Sequence, residues 1–506
     1  MSEQLALLPE YLTAHIQLTL LSLLLSTAVS LPLGIAVTRA KWLEQPVIGL
    51  AGVIQTVPSL ALLAIMVPIL AGLELPSIGF FPAIIGLTLY GVFPILRNTV
   101  TGIAGVDPAV KDAARGVGMT SWQQLVRVEL PLARPVIVAG IRTATVWIVG
   151  VATLSTPVGA TSLGNYIFSG LQTRNYTAIL VGCVAAAALA LVLDALVRTA
   201  ETSVRLRRHP RLVLTAISIG LLYSFTAITL VMPLLGSRER PIVIGAKAFT
   251  EQYILSAILS KWIEQETGYP TTLMQSLGSM IVFNALTTGD IDLYVEYSGT
   301  LWANEMERAD DLVSPAEVIG AVEQFLDERY GVTLVARLGF ENAYALAVRE
   351  TDARELNLRR ISDLTPYAPS LVIGGDYEFF ARPEWQAIRD VYGLEFADRR
   401  MMDSTLMYQA AAQQNVDVIS AFSSDGRVAA YDLIVLDDDQ GAIPPYDAVV
   451  LVSQQLSEKA PTIVDALSRL NDQITVERMR KMNLAVDEAG EDPATVAARF
   501  VRDLTP

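Results

Sequence analysis

The sequence is poor in the residues that build disulfide frameworks, histidine metal centres and acid–base catalysts. It has one cysteine, Cys183, and two histidines, His15 and His209, in 506 residues. A single cysteine excludes a disulfide-stapled domain. Two histidines so far apart argue against a histidine-based metal or proton-transfer centre. Walker A, GxSxG, HExxH and CxxC patterns are also missing, so the sequence does not predict an enzyme that binds ATP by itself.

Charge divides the chain into two different halves. Residues 1–240 carry 16 Lys and Arg against 10 Asp and Glu, whereas residues 241–506 carry 21 against 42. The whole chain has a net charge of −15 and a mean hydropathy of +0.42. The acidic second half argues against nucleic acid as a partner, and the length favours two or three domains.

Six apolar stretches in the first half are long enough to cross a bilayer: 15–38, 47–72, 78–96, 135–157, 176–197 and 211–235. Because the hydrocarbon core offers backbone groups no water, each stretch is predicted to be a helix. The first stretch lacks a basic leader and a small-residue cleavage site, so we expect it to be retained. The sequence predicts an all-α polytopic membrane domain over 1–205, in contact with the lipid bilayer.

Basic residues lie in alternate loops of this domain. Twelve Lys and Arg fall in the loop after the first stretch, in 97–134 and in 198–211, whereas the intervening loops hold only Arg174. The positive-inside rule places these three segments in the cytoplasm and the N-terminus outside. Residues 206–240 then form a further transmembrane helix and linker. The acidic residues 241–506 are therefore predicted to be an extracytoplasmic domain anchored to the cell membrane.

Short apolar strands alternate with helical stretches through the second half. PIVIGA (241–246) and DLYVEY (292–297) are typical of strands. The stretch TEQYILSAILSKWIEQETG (250–268) is typical of a helix that Thr250 caps and Gly268 ends. This alternation predicts an α/β domain with a mostly parallel sheet.

The cytoplasmic segment 107–131 carries the most specific motif, within DAARGVGMTSWQQLVRVELP. The pattern predicts a short helix, a glycine turn and a second helix that stops before Pro131. It resembles the EAA loop of ABC-importer permeases, with Asp in place of Glu. The residues that meet the spacing are Asp112, Ala113, Ala114, Gly118, Val128, Leu130 and Pro131.

This resemblance implies a type I importer permease that pairs with a second copy of itself. Each copy would seat the 107–131 segment on a separate ABC ATPase subunit. That partner would use the ATP and magnesium, and this chain would hold no cofactor of its own. The outer mouth of the pore is predicted to include Glu74, Asn165, Tyr166 and Arg174.

The second half resembles the substrate-binding proteins of osmoprotectant importers, which take glycine betaine, choline or carnitine. The matching stretches are GAKAFTEQYI (245–254), GDIDLYVEYSGT (289–300), NAYALAV (342–348), EFFAR (378–382), SAFSSDGRVAAYDLIVLDDD (420–439) and PPYDA (444–448). The resemblance implies a two-lobed fold like that of periplasmic binding proteins. Lobe 1 would span about 242–345 plus 447–506 and lobe 2 about 346–445, with the ligand in the cleft between them.

A quaternary ammonium group has no N–H to donate, so aromatic ring faces are suited to hold it. The resemblance places a cage at Tyr297, Tyr344, Phe422 and Tyr446, and polar contacts at Lys247, Gln252, Thr300, Asn342 and Arg382. Phe422 stands where the family usually has tyrosine. A ligand carboxylate would be taken by Lys247, Thr300 and Arg382.

Each of these residues also has a structural interpretation. The aromatic side chains could pack in a core, Lys247 could form a salt bridge, and Arg382 could cap the C-terminus of a helix. The acids Asp437, Asp438 and Asp439 are interpreted as a solvated turn, and no metal site is predicted.

Three hypotheses for function remain open. The first is the permease and substrate-binding subunit of an ABC importer for quaternary-ammonium solutes: glycine betaine, choline, carnitine or proline betaine. The second keeps the same architecture and takes ergothioneine, as permease–receptor fusions similar to this chain do. The third is a membrane-anchored sensor that reports a ligand to a partner.

Overall fold

The computed structural model describes residues 2–73, 75–173, 175–205, 209–235, 240–308, 315–376 and 378–504. Contacts divide the chain into a helical unit, Met1–Gly170 with Tyr176–Arg238, and an α/β unit, Leu171–Asn175 with Glu239–Pro506. Two predicted pore-mouth residues, Glu74 and Arg174, lie outside the described residues.

The helical unit has five described helices that are long and apolar enough to cross a membrane, and a sixth span if one bent pair is counted. The length and composition of these helices agree with the predicted membrane domain. The helices of this half are Ser2–Arg39, Lys41–Thr56, Ser59–Ala71, Phe80–Ala104, Pro108–Gly116, Ser121–Gln124, the π-helix Leu125–Glu129, Leu130–Ala152, the 3₁₀ helix Thr153–Val158, Gly164–Gln172, Tyr176–Arg205 and His209–Leu235.

The bent pair corrects one predicted helix. The stretch 47–72 is not continuous, because the helices Lys41–Thr56 and Ser59–Ala71 meet at an angle of 102°. Pro58 explains the break: a proline pushes the residue before it out of the helical region, and Val57 has extended dihedrals of −68° and 128°.

A second correction concerns Pro131, where the predicted helix stop is wrong. The π-helix Leu125–Glu129 continues directly into the helix Leu130–Ala152, so Pro131 lies in the first turn of that helix. The first turn tolerates proline because its fixed φ suits a helix start. The extra residue in the π turn changes the hydrogen-bond spacing just before Pro131.

The described residues of the α/β unit form ten strands in two mixed five-stranded sheets. The strands are β1 (Ile242–Lys247), β2 (Thr271–Leu277), β3 (Leu293–Tyr297), β4 (Thr333–Glu341), β5 (Tyr344–Arg349), β6 (Val372–Gly375), β7 (Asp398–Met401), β8 (Val418–Phe422), β9 (Leu433–Val435) and β10 (Asp447–Val452). The first sheet has the order β2-β1-β3-β10-β4 and the second the order β7-β6-β8-β5-β9. Each sheet defines one lobe.

The prediction of a mostly parallel sheet is wrong, because each sheet mixes both directions. β1 pairs in parallel with β2 and β3, whereas β10 pairs antiparallel with β3 and β4. β6 pairs in parallel with β7 and β8, whereas β5 pairs antiparallel with β8 and β9. In each sheet the antiparallel strand is the first one after a crossing between the lobes, β5 in the second sheet and β10 in the first.

The helices of the α/β unit alternate with these strands and cover the sheets. They are Thr250–Thr267, Ser279–Thr288, Ser298–Thr300, the π-helix Leu301–Glu305, Pro315–Tyr330, Glu350–Glu355, the 3₁₀ helices Ile361–Leu364, Ala368–Ser370 and Phe379–Ala381, Pro383–Tyr392, Ser404–Ala412, Arg427–Ala430, Gln454–Lys459, Pro461–Ser468, Val476–Asp487 and Pro493–Leu504. Gly268 ends the first of these with a φ of +74°, as predicted, but Phe249 rather than Thr250 occupies its N-cap.

The chain crosses between the lobes twice. β5 begins at Tyr344 in the second sheet, so the first crossing falls at Asn342–Ala343, just ahead of the predicted boundary at 345. The return runs from β9 to β10 and ends at Tyr446. The two crossings are tied together, since the backbone N–H of Asn342 donates to the carbonyl of Tyr446 at 3.0 Å.

An ion pair between a buried carboxylate and an exposed arginine generates a stability prediction for the helical unit. Glu129 is 1% exposed and accepts from Arg39 at 2.6 Å, and this pair joins the first helix to the coupling region. Arg39→Ala leaves a buried carboxylate without its cation. We expect the free energy of unfolding to fall by at most roughly 3 kcal/mol, because Arg39 itself is partly exposed.

Thermal unfolding of the detergent-solubilised chain measures this loss. The double variant Arg39→Ala/Glu129→Gln should recover part of it, because no buried charge remains. Lys41→Ala, at an exposed position next to the pair, is the control and should leave the midpoint in place. Equal midpoints for Arg39→Ala and Lys41→Ala would contradict the prediction.

Candidate ligand-binding cleft

A cleft in the α/β unit gathers side chains from both sheets. Its volume is about 330 Å³, at the lower end of the ~300–1,000 Å³ range of small-molecule sites. Eight of the nine predicted substrate-binding residues line it: Lys247, Tyr297, Thr300, Asn342, Tyr344, Arg382, Phe422 and Tyr446. The ninth, Gln252, is buried beside them and does not reach the cleft.

The aromatic rings come together because of strand register. Tyr344 begins β5 and is directly opposite Phe422, which ends β8, and their ring centroids are 4.9 Å apart. Tyr446 precedes β10, and its ring meets Tyr344 edge to face at 6.3 Å. Tyr297 ends β3, the strand that pairs with β10. The four predicted cage residues therefore belong to one cleft, although they are spread over 150 positions of sequence.

A fifth ring was missed by sequence reasoning. Phe249 lines the cleft and stacks on Tyr297, with ring centroids 6.3 Å apart and an interplanar angle of 26°. It lies inside the matching stretch GAKAFTEQYI, so the resemblance could have suggested it. The cleft therefore offers five aromatic side chains rather than four.

Lys247 forms the salt bridge of its structural interpretation and also lines the cleft, where a ligand carboxylate was predicted to bind. Its ammonium group forms a buried ion pair with Glu296 and lies 5.5 Å from the centre of the Tyr297 ring. Gln252 orients this corner: it accepts the backbone N–H of Lys247 and donates to the hydroxyl of Tyr297 at 3.2 Å. Gln252 is thus placed to position cleft residues rather than to contact a ligand.

Arg382 occupies the C-cap of the 3₁₀ helix Phe379–Ala381, as its structural interpretation has it, and it also precedes the helix Pro383–Tyr392. Its guanidinium group donates to the fully buried Glu384 at 3.0 Å and lies 3.6 Å from Glu378. Its Cζ is 5.1 Å from the centre of the Tyr344 ring. The hydroxyl of Tyr446 also donates to Glu384, so this carboxylate holds an arginine and a cage ring together.

Glu251 is a second feature that sequence reasoning missed. Its carboxylate accepts from Tyr297 Oη at 2.6 Å, Asn342 Nδ2 at 2.9 Å and Asn483 Nδ2 at 2.9 Å. Burial raises the pKa of Glu251, and these donors, with Ser424, oppose the rise. Glu251 lies in the matching stretch GAKAFTEQYI, as Phe249 does, so the resemblance could have suggested it, although a glutamate in the first turn of a helix is common.

The C-terminal part of the chain adds polar side chains to the cleft that no sequence motif predicted. Asn483 and Asp487 come from the helix Val476–Asp487 and line the cleft. Burial raises the pKa of Asp487 to about 6, and its carboxylate accepts from Thr250 Oγ1 at 2.6 Å. The buried pair of Arg427 with Asp425, at 2.6 Å, lies beside them.

In the helical unit, the predicted coupling segment is a helix–turn–helix. Asp107 caps the helix Pro108–Gly116 by accepting the N–H of Ala109 at 2.8 Å. Gly118 has a φ of +79°, which a glycine adopts at little cost, and Thr120 starts the next helix with a capping box. Four of the five predicted coupling residues lie in the first helix and the turn after it: Asp112, Ala113, Ala114 and Gly118. The fifth, Pro131, lies in the first turn of the helix Leu130–Ala152.

The predicted pore-mouth residues that the structure describes have structural partners. Tyr166 is 1% exposed and packs edge to face on Tyr11 at 4.9 Å, so its predicted place at an open mouth is wrong. Asn165 accepts the backbone N–H of Ser162 at 2.8 Å. Asn165 thus stabilises the turn before Gly164–Gln172, whereas Tyr166 packs in a hydrophobic cluster with Leu163 and Ala178.

A ligand-sized cleft between two mixed α/β lobes, together with a bundle of membrane-length helices on the same chain, defines a solute receptor fused to a permease. Residues 240–503 match the substrate-binding domain of the ABC-type glycine betaine transport system, and residues 30–206 match the inner membrane component of binding-protein-dependent transport systems. The chain belongs to this family of ABC importers.

One curated relative matches both halves of the chain, and others match one half each. The ergothioneine transport permease/ergothioneine binding protein EgtU of Helicobacter pylori (strain G27) is 30% identical, over 89% of this chain and 82% of that protein. The permease OpuCB of the Bacillus subtilis (strain 168) glycine betaine/carnitine/choline system is 43% identical, over 38% of this chain and 85% of its own. The carnitine-binding protein OpuCC of Listeria monocytogenes is 32% identical, over 53% and 88%.

These matches confirm the predicted class. The chain is a permease fused to the substrate-binding domain of a glycine betaine/carnitine/choline-type ABC importer, and EgtU has the same fused architecture. It is a multi-pass membrane protein whose α/β unit is extracytoplasmic. Its relatives are transport proteins rather than enzymes.

The position of Tyr446 generates a prediction about Gly299. A Cβ atom at Gly299 would lie 2.7 Å from ring carbons of Tyr446 and 2.8 Å from the carbonyl oxygen of Pro445. Gly299→Ala must therefore displace the ring or the second crossing, and we expect the free energy of unfolding of the α/β unit to fall by about 1–3 kcal/mol.

Gly320→Ala is the matched control for this change. Gly320 is exposed within the helix Pro315–Tyr330, and a Cβ there meets nothing within 4 Å. Alanine should raise helix stability there by up to about 1 kcal/mol. Denaturant unfolding followed by fluorescence compares the two, and an undiminished stability of Gly299→Ala would contradict the close-approach argument.

Proposed function

We propose that the cleft binds the quaternary ammonium group of a small cation or zwitterion and delivers the ligand to the pore for ATP-driven import. The observation that carries the proposal is the convergence of five aromatic side chains on one cleft: Phe249, Tyr297, Tyr344, Phe422 and Tyr446. Ring faces attract a diffuse positive charge and require no N–H from the ligand. Glycine betaine, choline, carnitine and proline betaine all meet this requirement.

The magnitude of ring attraction is sufficient for a receptor. A ring face contributes about 2 kcal/mol when water is excluded, and a micromolar affinity requires about 8 kcal/mol. Four rings would therefore account for most of a micromolar affinity. Phe422 retains the ring face and lacks the hydroxyl of a tyrosine, so it can contribute to the cage without a hydrogen bond.

The carboxylate of a zwitterion would have a weaker hold in this cleft than the head group. Lys247, Thr300 and Arg382 are the residues proposed to take it. Lys247 and Arg382 already have buried acidic partners, Glu296 and Glu384. We therefore propose that the head group supplies most of the affinity, and that carboxylate contacts adjust the choice among zwitterions.

Ergothioneine is the second candidate substrate. A relative that matches 89% of this chain is named for ergothioneine transport and has the same permease–receptor fusion. Ergothioneine also carries a trimethylammonium group and a carboxylate, so the same rings would hold its head. Its larger ring-bearing tail would extend toward the polar side chains of Asn342, Asn483 and Arg427.

The proposed machine contains partners beyond this chain. Two copies of the permease would form the pore, and each would place its coupling segment on a separate ABC ATPase that hydrolyses ATP. Closure of the lobes about the crossings is a hinge motion. The capped helix–turn–helix at Pro108–Gly116 and Gly118 supports an importer over a membrane-anchored sensor, since a sensor has no use for an ATPase docking segment.

Calorimetry on the full chain in lipid nanodiscs tests the substrate class. We expect at least one of glycine betaine, choline, carnitine, proline betaine and ergothioneine to bind with a dissociation constant in the micromolar range. If none binds more tightly than about 1 mM, which is roughly 4 kcal/mol, the cage proposal is wrong.

Tyr297→Ala tests the cage residue by residue. Removal of this ring should weaken the best ligand at least tenfold, about 1.4 kcal/mol. Tyr367→Ala, at a partly exposed position away from the cleft, is the control and should bind normally. Unchanged affinity in Tyr297→Ala would remove Tyr297 from the site.

Gly118→Val tests the importer against the sensor. A β-branched residue at a φ of +79° is strained, so the turn between the two coupling helices should deform. We expect ATP-driven uptake into proteoliposomes with the partner ATPase to be lost and ligand binding to persist. Gly116→Ala, where a Cβ meets nothing within 4 Å, should transport normally. Absence of uptake by the unmodified chain with its ATPase would favour the sensor.

A further inference from the structure

Every cationic side chain that lines the cleft is already neutralised. Lys247 pairs with Glu296, Arg382 with Glu384, and Arg427 with Asp425, all of them buried or nearly so. A buried charge in such a pair exerts little net field on a third group. The sign of the cleft is therefore decided by acids that have no such partner.

Glu251 is the first of these acids and belongs to lobe 1. It is 3% exposed, it lines the cleft, and its recorded donors are neutral: a tyrosine hydroxyl, two asparagine amides and Ser424. Within the described residues it takes part in no ion pair. These donors favour the charged form of the carboxylate and oppose the larger effect of burial, which raises the pKa of Glu251.

Asp376 is the second and belongs to lobe 2, directly after β6. It is 7% exposed and lines the cleft. Its Oδ1 accepts the backbone N–H groups of Glu378 and Phe379 at 2.8 and 2.9 Å, whereas its Oδ2 has no hydrogen-bond partner among the described residues. It likewise forms no ion pair in the part of the chain that is described. Burial raises the pKa of Asp376, and the two backbone donors and the more distant charge of Arg382 oppose the rise.

We propose that Glu251 and Asp376, one from each lobe, are specificity-determining residues whose uncompensated charge makes the cleft select a permanent cation over a neutral molecule of the same shape. This inference rests on the proposed function and deepens it. Rings alone would bind a tert-butyl group as a hydrophobic substitute for trimethylammonium. The two carboxylates penalise that substitute, because it leaves their charges buried and unanswered.

The geometry around Tyr297 shows how one of the charges reaches the ligand. Glu251 accepts from the hydroxyl of Tyr297 at 2.6 Å, so a negative charge lies at the edge of a cage ring. A cation over the ring face would be attracted by the ring and by the carboxylate beyond it, and screening by water is reduced in a closed cleft. Asp376 acts from the opposite lobe, where its charge raises the pKa of Tyr344 in addition to the larger effect of burial.

The test compares ligands that carry a quaternary nitrogen with isosteres in which carbon replaces it. The cation choline is paired with the neutral 3,3-dimethylbutan-1-ol, and the zwitterion glycine betaine with the anion 3,3-dimethylbutanoate. Affinities of the full chain in nanodiscs are measured by calorimetry, with displacement for the weaker member of each pair. The readout is the ratio of affinities within a pair, which a general loosening of the cleft would not change.

Glu251→Gln retains a hydrogen-bond acceptor for Tyr297 and removes the charge. We expect the ratio for the choline pair to fall at least tenfold, about 1.4 kcal/mol, with less than about a twofold change for the neutral alcohol. Asp376→Asn should lower the ratio in the same direction. Glu264→Gln, an exposed position on the same helix as Glu251, is the matched control and should leave the ratio unchanged.

The outcomes separate this inference from the proposed function. If the unmodified chain binds a trimethylammonium ligand and both variants keep its ratio, the inference is overturned and the function stands. Equal losses for both members of a pair indicate a structural role and also overturn it. If no trimethylammonium ligand binds the unmodified chain, both are overturned. Should Glu251→Gln fail to fold, the ratio for Asp376→Asn decides.

Discussion

The contact between the two chain crossings is the constraint on which the cleft depends. The hydrogen bond from the N–H of Asn342 to the carbonyl of Tyr446 holds the outgoing and returning segments side by side. Tyr344 follows one crossing and Tyr446 ends the other, so their rings meet at 6.3 Å. The pairing of β5 with β8 then brings Phe422 opposite Tyr344, and the pairing of β10 with β3 brings Tyr297 to the same place.

Charge in the cleft follows a consistent scheme. The side chains that would bind an anion, Lys247 and Arg382, each have a buried acid of their own. The hydroxyl of Tyr446 donates to the same Glu384 that holds Arg382, and the hydroxyl of Tyr297 donates to Glu251. Two tyrosines of the proposed cage are thus held by carboxylates, which orient the rings and keep the cleft from being positive. This arrangement suits the proposed binding of a permanent cation.

Much of the site could be predicted because the resemblance lies in short contiguous stretches. GDIDLYVEYSGT contains Tyr297 and Thr300, and EFFAR contains Arg382, so the matching motif carried each residue with it. Eight of the nine predicted residues do line the cleft, and their roles in binding stay predictions. Gln252 lies in the matching stretch GAKAFTEQYI but does not line the cleft. It supports the site from behind, because neighbouring helical residues point in directions about 100° apart. Asn483 and Asp487 could not be predicted, because they reach the cleft from the far end of the chain by packing alone.

The sequence by itself determined that this is a membrane-anchored importer subunit. Hydropathy, loop charge and the 107–131 motif are local properties, which can be recognised in contiguous residues without knowledge of the fold. Only the tertiary structure decided the mixed direction of both sheets, the break at Pro58, the helix through Pro131 and the pairing of every cleft cation with an acid. These features depend on which distant segments of the chain come into contact. The free energy of such contacts cannot be inferred from any one contiguous stretch of residues.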